Sequence, residues 1–178
     1  MQEVILVNEN DTPIGTIEKM AAHEQALLHR AFSVFIFNSN GLMLLQQRAV
    51  TKYHSPGLWT NACCSHPFPN EETEHAAQRR LQEELGFTTT LTKAFHFTYK
   101  ANFDNGLTEH EFDHVFVGVY EGDVASNPEE VNAITFKTMS EVRNDLINSP
   151  NLYTEWFKIA FPLLSKWIHK NNFLNAPA

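Results

Sequence analysis

Apolar and polar positions fall into two rhythms along this chain, a strict alternation that suits strands and a three-to-four spacing that suits helices. Val4-Ile5-Leu6-Val7 predicts a short strand, Asn10 to Gly15 is turn chemistry, and Thr16-Ile17-Glu18-Lys19 is the expected hairpin return. Ala31 to Phe37 predicts a buried strand closed by Asn38-Ser39-Asn40-Gly41, with Leu42 to Arg48 as its hairpin partner. From Glu71 to Leu85 the pattern is helical, with Ala77, Leu81 and Leu85 on one stripe and Gly86 as the stop. Phe95 to Tyr99 predicts a strand, Asp104-Asn105-Gly106 a turn, and Glu109 to Val119 an extended run. Alternation in that run puts Glu109, Glu111, Asp113, Val115 and Val117 on one face, with His110, Phe112, His114 and Phe116 on the other. Gly122 to Val131 reads as an acidic loop. Thr138 with Glu141 forms a capping-box pattern that opens a helix through Ile147. Trp156, Phe157, Ala160, Phe161, Leu164, Trp167 and Ile168 make a last helical stripe, interrupted by Pro162.

One stretch fits neither rhythm. Trp59-Thr60-Asn61-Ala62-Cys63-Cys64-Ser65-His66-Pro67 is poor in core-building residues and rich in nucleophile, ligand and turn types. In an extended backbone Cys64 and His66 share one side while Cys63 points to the other. Cys64 and His66 are thus a candidate pair in one site with Cys63 as a packing residue; the alternative is that both cysteines are buried small apolar residues. His23 and His29 lie six apart, so they converge only through a bend or loop. Arg80 and Glu84, four apart, are neighbours on one helix face. Glu109 and Glu111 can jointly grip a cation, or stand as a solvated strand end.

Composition narrows the chemistry. The chain has 178 residues, 43% of them hydrophobic, enough for one core and a single domain spanning 1–178. A net charge of -8 argues against nucleic-acid binding, so any anionic ligand needs a local basic cluster such as Arg48 and Lys52. The 2 cysteines are adjacent and cannot form an unstrained disulfide. The beginning lacks the basic and apolar regions of a secretory signal, and no run approaches the ~18 apolar residues of a membrane span. A reduced, cytoplasmic protein is expected, not a membrane protein, as a monomer or weak dimer.

The run Arg79-Arg80-Leu81-Gln82-Glu83-Glu84-Leu85-Gly86 resembles the end of a Nudix box, and Glu71 falls at the box's first Glu position. Two positions depart, Ser65 in place of Gly and Arg80 in place of Glu. Taken with Lys19, His23, His29, Arg48, Lys52, the Trp59 to Pro67 stretch and Glu109-His110-Glu111, the pattern resembles type I isopentenyl-diphosphate isomerase over nearly the whole chain. The resemblance implies an α/β fold of the α+β kind, a Nudix-like mixed β-sheet sandwiched between helices. It implies interconversion of isopentenyl and dimethylallyl diphosphate by protonation and deprotonation. Site roles are implied with it. His23, His29, His66, Glu109 and Glu111 would hold Mn²⁺ or Zn²⁺. Cys64 and Glu111 would be the acid/base pair with Tyr99 beside them. Glu84 would hold a Mg²⁺ that arrives on the diphosphate. Lys19, Arg48, Lys52 and Arg80 would neutralise the phosphates, and Trp156 would lie over the reacting carbons. A Nudix diphosphate hydrolase and a non-catalytic metal- or diphosphate-binding domain are the alternatives. The hydrolase is disfavoured because Arg80 replaces one of the carboxylates that hold its metal ions.

Overall fold

The computed structural model describes residues 2–175. Its strands are β1 (Glu3–Val7), β2 (Pro13–Glu18), β3 (His29–Phe37), β4 (Met43–Arg48), β5 (Trp59–Thr60), β6 (Cys63–Ser65), β7 (Leu91–Asn102), β8 (Thr108–Val119) and β9 (Val131–Lys137). Its helices are α1 (Lys19–Glu24), α2 (Thr73–Leu85), α3 (Met139–Asn148) and α4 (Glu155–Asn171).

Strand β3 organises the sheet. One edge pairs in parallel with β8 along its whole length, from His29 opposite Glu111 to Phe37 opposite Val119. The other edge is shared by three short partners. Leu6 of β1 sits opposite His29, Cys63 to Ser65 of β6 run antiparallel to Phe32 to Val34, and Met43 and Leu44 of β4 meet Phe37 and Ile36. The expected hairpin between β3 and β4 is therefore only two residue pairs long. β4 then diverges to pair with β9 and β5, because β6 occupies the edge of β3 that a full hairpin would need.

Alternation along β3 divides the core in two. Phe35 and Phe37 join Val115, Val117, Trp156, Phe157 and Phe161 on the side covered by α4. Phe32, Val34 and Ile36 join Ala76, Ala77, Leu81 and Leu85 on the side covered by α2. A mixed sheet between helices is the result. Thr138 caps α3 reciprocally with Glu141, as the sequence pattern predicts. Helix α2 starts two residues later than the spacing suggests, because Asn70 takes a left-handed backbone and the Glu71 carboxylate accepts from Phe68 and Arg79. It ends at Gly86 (φ 78), where a Cβ would meet the Ala125 carbonyl oxygen at 2.8 Å. Only glycine satisfies both demands. Helix α4 begins at Glu155, so Tyr153 precedes it, and Pro162 lies inside it. Four elements escaped the sequence reading, the short strands β5 and β6, strand β9 and the short helix α1.

Candidate active site

The two cysteines face opposite cores. Cys63 is fully buried on the α2 side, with its Sγ 3.6 Å from Glu84 Oε1. Cys64 packs towards the α4 side and lines an open cleft. The same cleft is lined by Tyr99, Glu109, Glu111, Trp156, His66, Lys19, Arg48, Lys52, Arg80 and Glu84. The expected site residues therefore meet in one place, with His23 and His29 immediately behind Glu111 and His66.

At one end lies a histidine–carboxylate cluster. The loop after α1 turns the chain back, bringing His23 and His29 to ring centroids 5.0 Å apart. His23, His29, His66 and Glu111 offer ligand atoms all within 4.8 Å of one another. His23 Nδ1 lies 2.7 Å from the Lys19 carbonyl and His29 Nδ1 lies 2.8 Å from the Leu27 carbonyl. With Nδ1 donating in each, both Nε2 atoms are left as lone pairs that point into the cluster. His23 Nε2 is buried without a partner, and the Nε2 atoms of His29 and His66 face each other at 3.1 Å. Three imidazoles and a carboxylate arranged in this way suit a borderline divalent ion. Burial pushes His66 down to about 3, with Glu111 offsetting only part of the shift, so its ring is neutral as a metal ligand requires.

Glu109 stands slightly apart. Its Oε2 is 2.8 Å from the Tyr99 hydroxyl and its Oε1 is 3.2 Å from His54 Nε2. Tyr99 also reaches Glu111 Oε2 at 2.7 Å, and one hydroxyl proton cannot serve two ionised carboxylates. Burial and the neighbouring Glu111 push Glu109 up. Burial pushes Glu111 up as well, but its contacts with the His29 and His66 imidazoles outweigh it and hold Glu111 below the usual range. Beneath them Asp113, raised by burial and then by Glu111, accepts a 2.7 Å hydrogen bond from Ser33.

The other end is cationic. Arg80 donates to Glu84 Oε1 at 2.6 Å and to Glu83 Oε2 at 2.7 Å, and it lies 3.3 Å from Glu130. Lys52 also pairs with Glu130. Burial pushes Lys19 down, and the nearby cations Lys52, Arg48 and Arg80 push the same way. The Nε–H groups of Arg48 and Arg80 are buried without partners. Unsatisfied guanidinium donors cost free energy until an acceptor arrives, and a diphosphate is an acceptor of the right charge. Arg48 also lies 5.2 Å over the Trp156 ring, so it touches both the anion end and the aromatic wall.

Glu84 is almost fully buried, with Gln46 on Oε2 at 2.9 Å and Arg80 on Oε1. A single wall carboxylate fits an ion such as Mg²⁺, which takes its remaining ligands from phosphates and water. Arg79 holds Glu71 in a bidentate pair and also reaches Glu83. Of Glu71, Glu83 and Glu84, the first two are engaged with that arginine and only Glu84 lines the cleft.

Burial holds the Cys64 thiol well above its ordinary range, so it is protonated in the ligand-free protein. Sequence reasoning missed His54, Gln46, Glu130 and Ser33. His54 lies in the Arg48-to-Gly57 stretch beside Lys52, but a lone histidine in a turn-rich segment gives no periodic signal.

A family model described as the NUDIX domain matches residues 27–157. The isopentenyl-diphosphate Delta-isomerase of Pectobacterium atrosepticum is 49% identical over 161 residues, covering 90% of each chain. The isopentenyl-diphosphate Delta-isomerase 1 of Aromatoleum aromaticum is 50% identical over 156 residues, covering 88% of each chain. Among solved structures, a MutT protein from Methanosarcina mazei matches with a TM-score of 0.65 and 18% identity, over 81% of this chain and 95% of that one. That likeness concerns the fold.

Proposed function

The chain belongs to the isopentenyl-diphosphate Delta-isomerases of the NUDIX domain family, and we propose that the cleft between Cys64 and Glu111 is where it moves the double bond. The activity is the interconversion of isopentenyl and dimethylallyl diphosphate. The observation that carries the assignment of roles is the meeting of Cys64, from β6, and Glu111, from β8, in a cleft walled by Trp156.

Protonation of the terminal methylene carbon makes a tertiary carbocation, and loss of a proton from the neighbouring methylene places the double bond in its new position. Two groups on different strands supply the two proton transfers, and their roles exchange when the reaction runs backwards. Cys64 carries a proton in the ligand-free protein, and Tyr99 links Glu111 to Glu109 for redistribution of the other. The ring of Trp156 stabilises the cation by its π face, an interaction worth about 2 kcal/mol when desolvated. Lys19, Arg48, Lys52 and Arg80 bind the diphosphate, so the reactive carbons are held at the Cys64 end.

His23, His29, His66 and Glu111, with Glu109 beside them, would hold Mn²⁺ or Zn²⁺. That ion supplies positive charge that orients the Glu111 carboxyl. Glu84 would hold Mg²⁺ brought by the substrate. The hydrolase alternative is disfavoured, because Arg79 engages Glu71 and Glu83 and Arg80 occupies the position of a further carboxylate. Among the described residues no helix is long and apolar enough to cross a membrane, in keeping with a cytoplasmic enzyme.

Turnover of isopentenyl diphosphate in deuterium oxide tests the reading. Deuterium is expected in a methyl group of dimethylallyl diphosphate, without release of inorganic phosphate. Full retention of hydrogen in the product, or rapid phosphate release, would overturn it.

A further inference from the structure

The segment between β4 and β5 passes over the cleft and is fastened from both sides. Arg48 Nη2 donates to the His54 carbonyl at 3.1 Å, and Asn105 Nδ2, from the turn between β7 and β8, donates to the Tyr53 carbonyl at 3.0 Å. The His54 ring stacks on Phe103 at 5.3 Å and meets the Trp156 ring edge-on at 5.8 Å. These contacts bury an imidazole that surface chemistry would leave in water. Its Nε2 lies 3.2 Å from Glu109 Oε1, and its Nδ1 has no partner. A neutral imidazole has one N–H, and facing a carboxylate oxygen the hydrogen belongs on Nε2.

We propose that His54 is a positioning residue of the metal end, holding Oε1 of Glu109 while Tyr99 engages Oε2. The two contacts come from different elements, the β4–β5 segment and β7, so together they fix the plane of the Glu109 carboxylate. His54 also ties the segment that carries Lys52 to the strand that carries the ligands. The proposal rests on the reading of Glu109 as a metal donor. A group that orients a metal-binding carboxylate typically changes metal affinity or activity by about 10–100-fold when removed.

The test compares His54→Phe with His54→Gln. Phenylalanine keeps the stacking on Phe103 and removes the donor; glutamine keeps a donor on a smaller side chain. Chelator-stripped protein is titrated with Mn²⁺ alone, following free Mn²⁺ by electron paramagnetic resonance, and kcat and KM are then measured on the reloaded enzyme. In His54→Phe, Mn²⁺ affinity is expected to fall about tenfold and kcat with it, while KM stays within about twofold; His54→Gln should recover most of both. Equal behaviour of the two variants, unchanged Mn²⁺ affinity in His54→Phe, or a rise in KM alone would overturn the role. Glu109→Gln separates the two layers of the argument. If it binds Mn²⁺ as tightly as the wild type, the reading of Glu109 as a donor fails. If it binds weakly while His54→Phe binds normally, only the positioning role fails.

Discussion

The two ends of the cleft solve opposite problems. The histidine–carboxylate end is held from behind: backbone carbonyls fix the rings of His23 and His29, and the register of β3 against β8 sets His29 opposite Glu111. Its donors are aimed before any ligand comes. The cationic end is provisional. Arg80 and Lys52 are paired with Glu83, Glu84 and Glu130, and on the proposed reading those pairs loosen when a diphosphate arrives. The difference teaches that substrate binding is spent on exchanging ion pairs at one end, while the geometry at the other end is built in by the fold.

The sharpest break in that comparison lies between the ends. Cys64→Ala is expected to lower kcat by about a thousandfold or more, a magnitude ordinary for losing one member of an acid/base pair. Cys63→Ala removes a buried atom facing the other core, costing about 1 kcal/mol of stability and leaving kcat within a few-fold. Steady-state assays on both proteins, each checked by thermal melting, decide the matter. Equal losses in two folded proteins would remove Cys64 from its role.

At the rigid end, His66→Ala should lose most of its divalent metal by elemental analysis and most of its activity with it, while retaining its fold. Full metal occupancy in that protein would take His66 out of the ligand set.

The provisional end should respond more gently. Arg80→Ala removes a charge-assisted contact worth roughly 1.5–3 kcal/mol, so KM should rise about tenfold or more with a smaller change in kcat. Arg80→Glu should be worse, since it sets a carboxylate among Glu83, Glu84 and the phosphates. Unchanged KM in Arg80→Ala would show that the arginine serves only its ion pairs.

The smallest effect concerns Glu71, which lies outside both ends. Its pairing with Arg79 holds the carboxyl below its ordinary value of 4.5. A carboxyl depressed by folding adds stability above that value and loses it as the pH falls through the folded value. Glu71→Gln should therefore cost at most about 1 kcal/mol at neutral pH, discounted for its partial exposure. The gap from wild type should close in acid. Denaturant melts across the pH range measure it, and a gap that persists in acid would show that the pair contributes through packing.

Much of this was legible beforehand. The opposite facing of Cys63 and Cys64, and the shared face of Glu109, Glu111 and Asp113, follow from strand alternation and hold. The helical stripes of α2 and α4 bury the residues their spacing indicates, except Trp167, which is half-buried. The partners of β3 were not legible, because two apolar runs joined by Asn-Gly look the same whether they pair for their full length or for two residues. β9 was missed for a related reason: it packs along β4 with mostly half-buried side chains, so its alternation carries little contrast. His54 was invisible because its burial depends on Phe103, Trp156 and Asn105, which reach it only in the folded chain.

The parallel pairing of β3 with β8 has a consequence for how the protein comes into being. His29 must wait for Glu111, roughly eighty residues further on, before the two can meet. Contacts this distant in the chain form late and slow the folding of a domain. During synthesis on the ribosome, the first half emerges with its thiols and imidazoles but none of the β8 carboxylates. The candidate site therefore cannot assemble until translation has passed β8, and variants that weaken this pairing should lose yield in the cell before they lose catalytic rate.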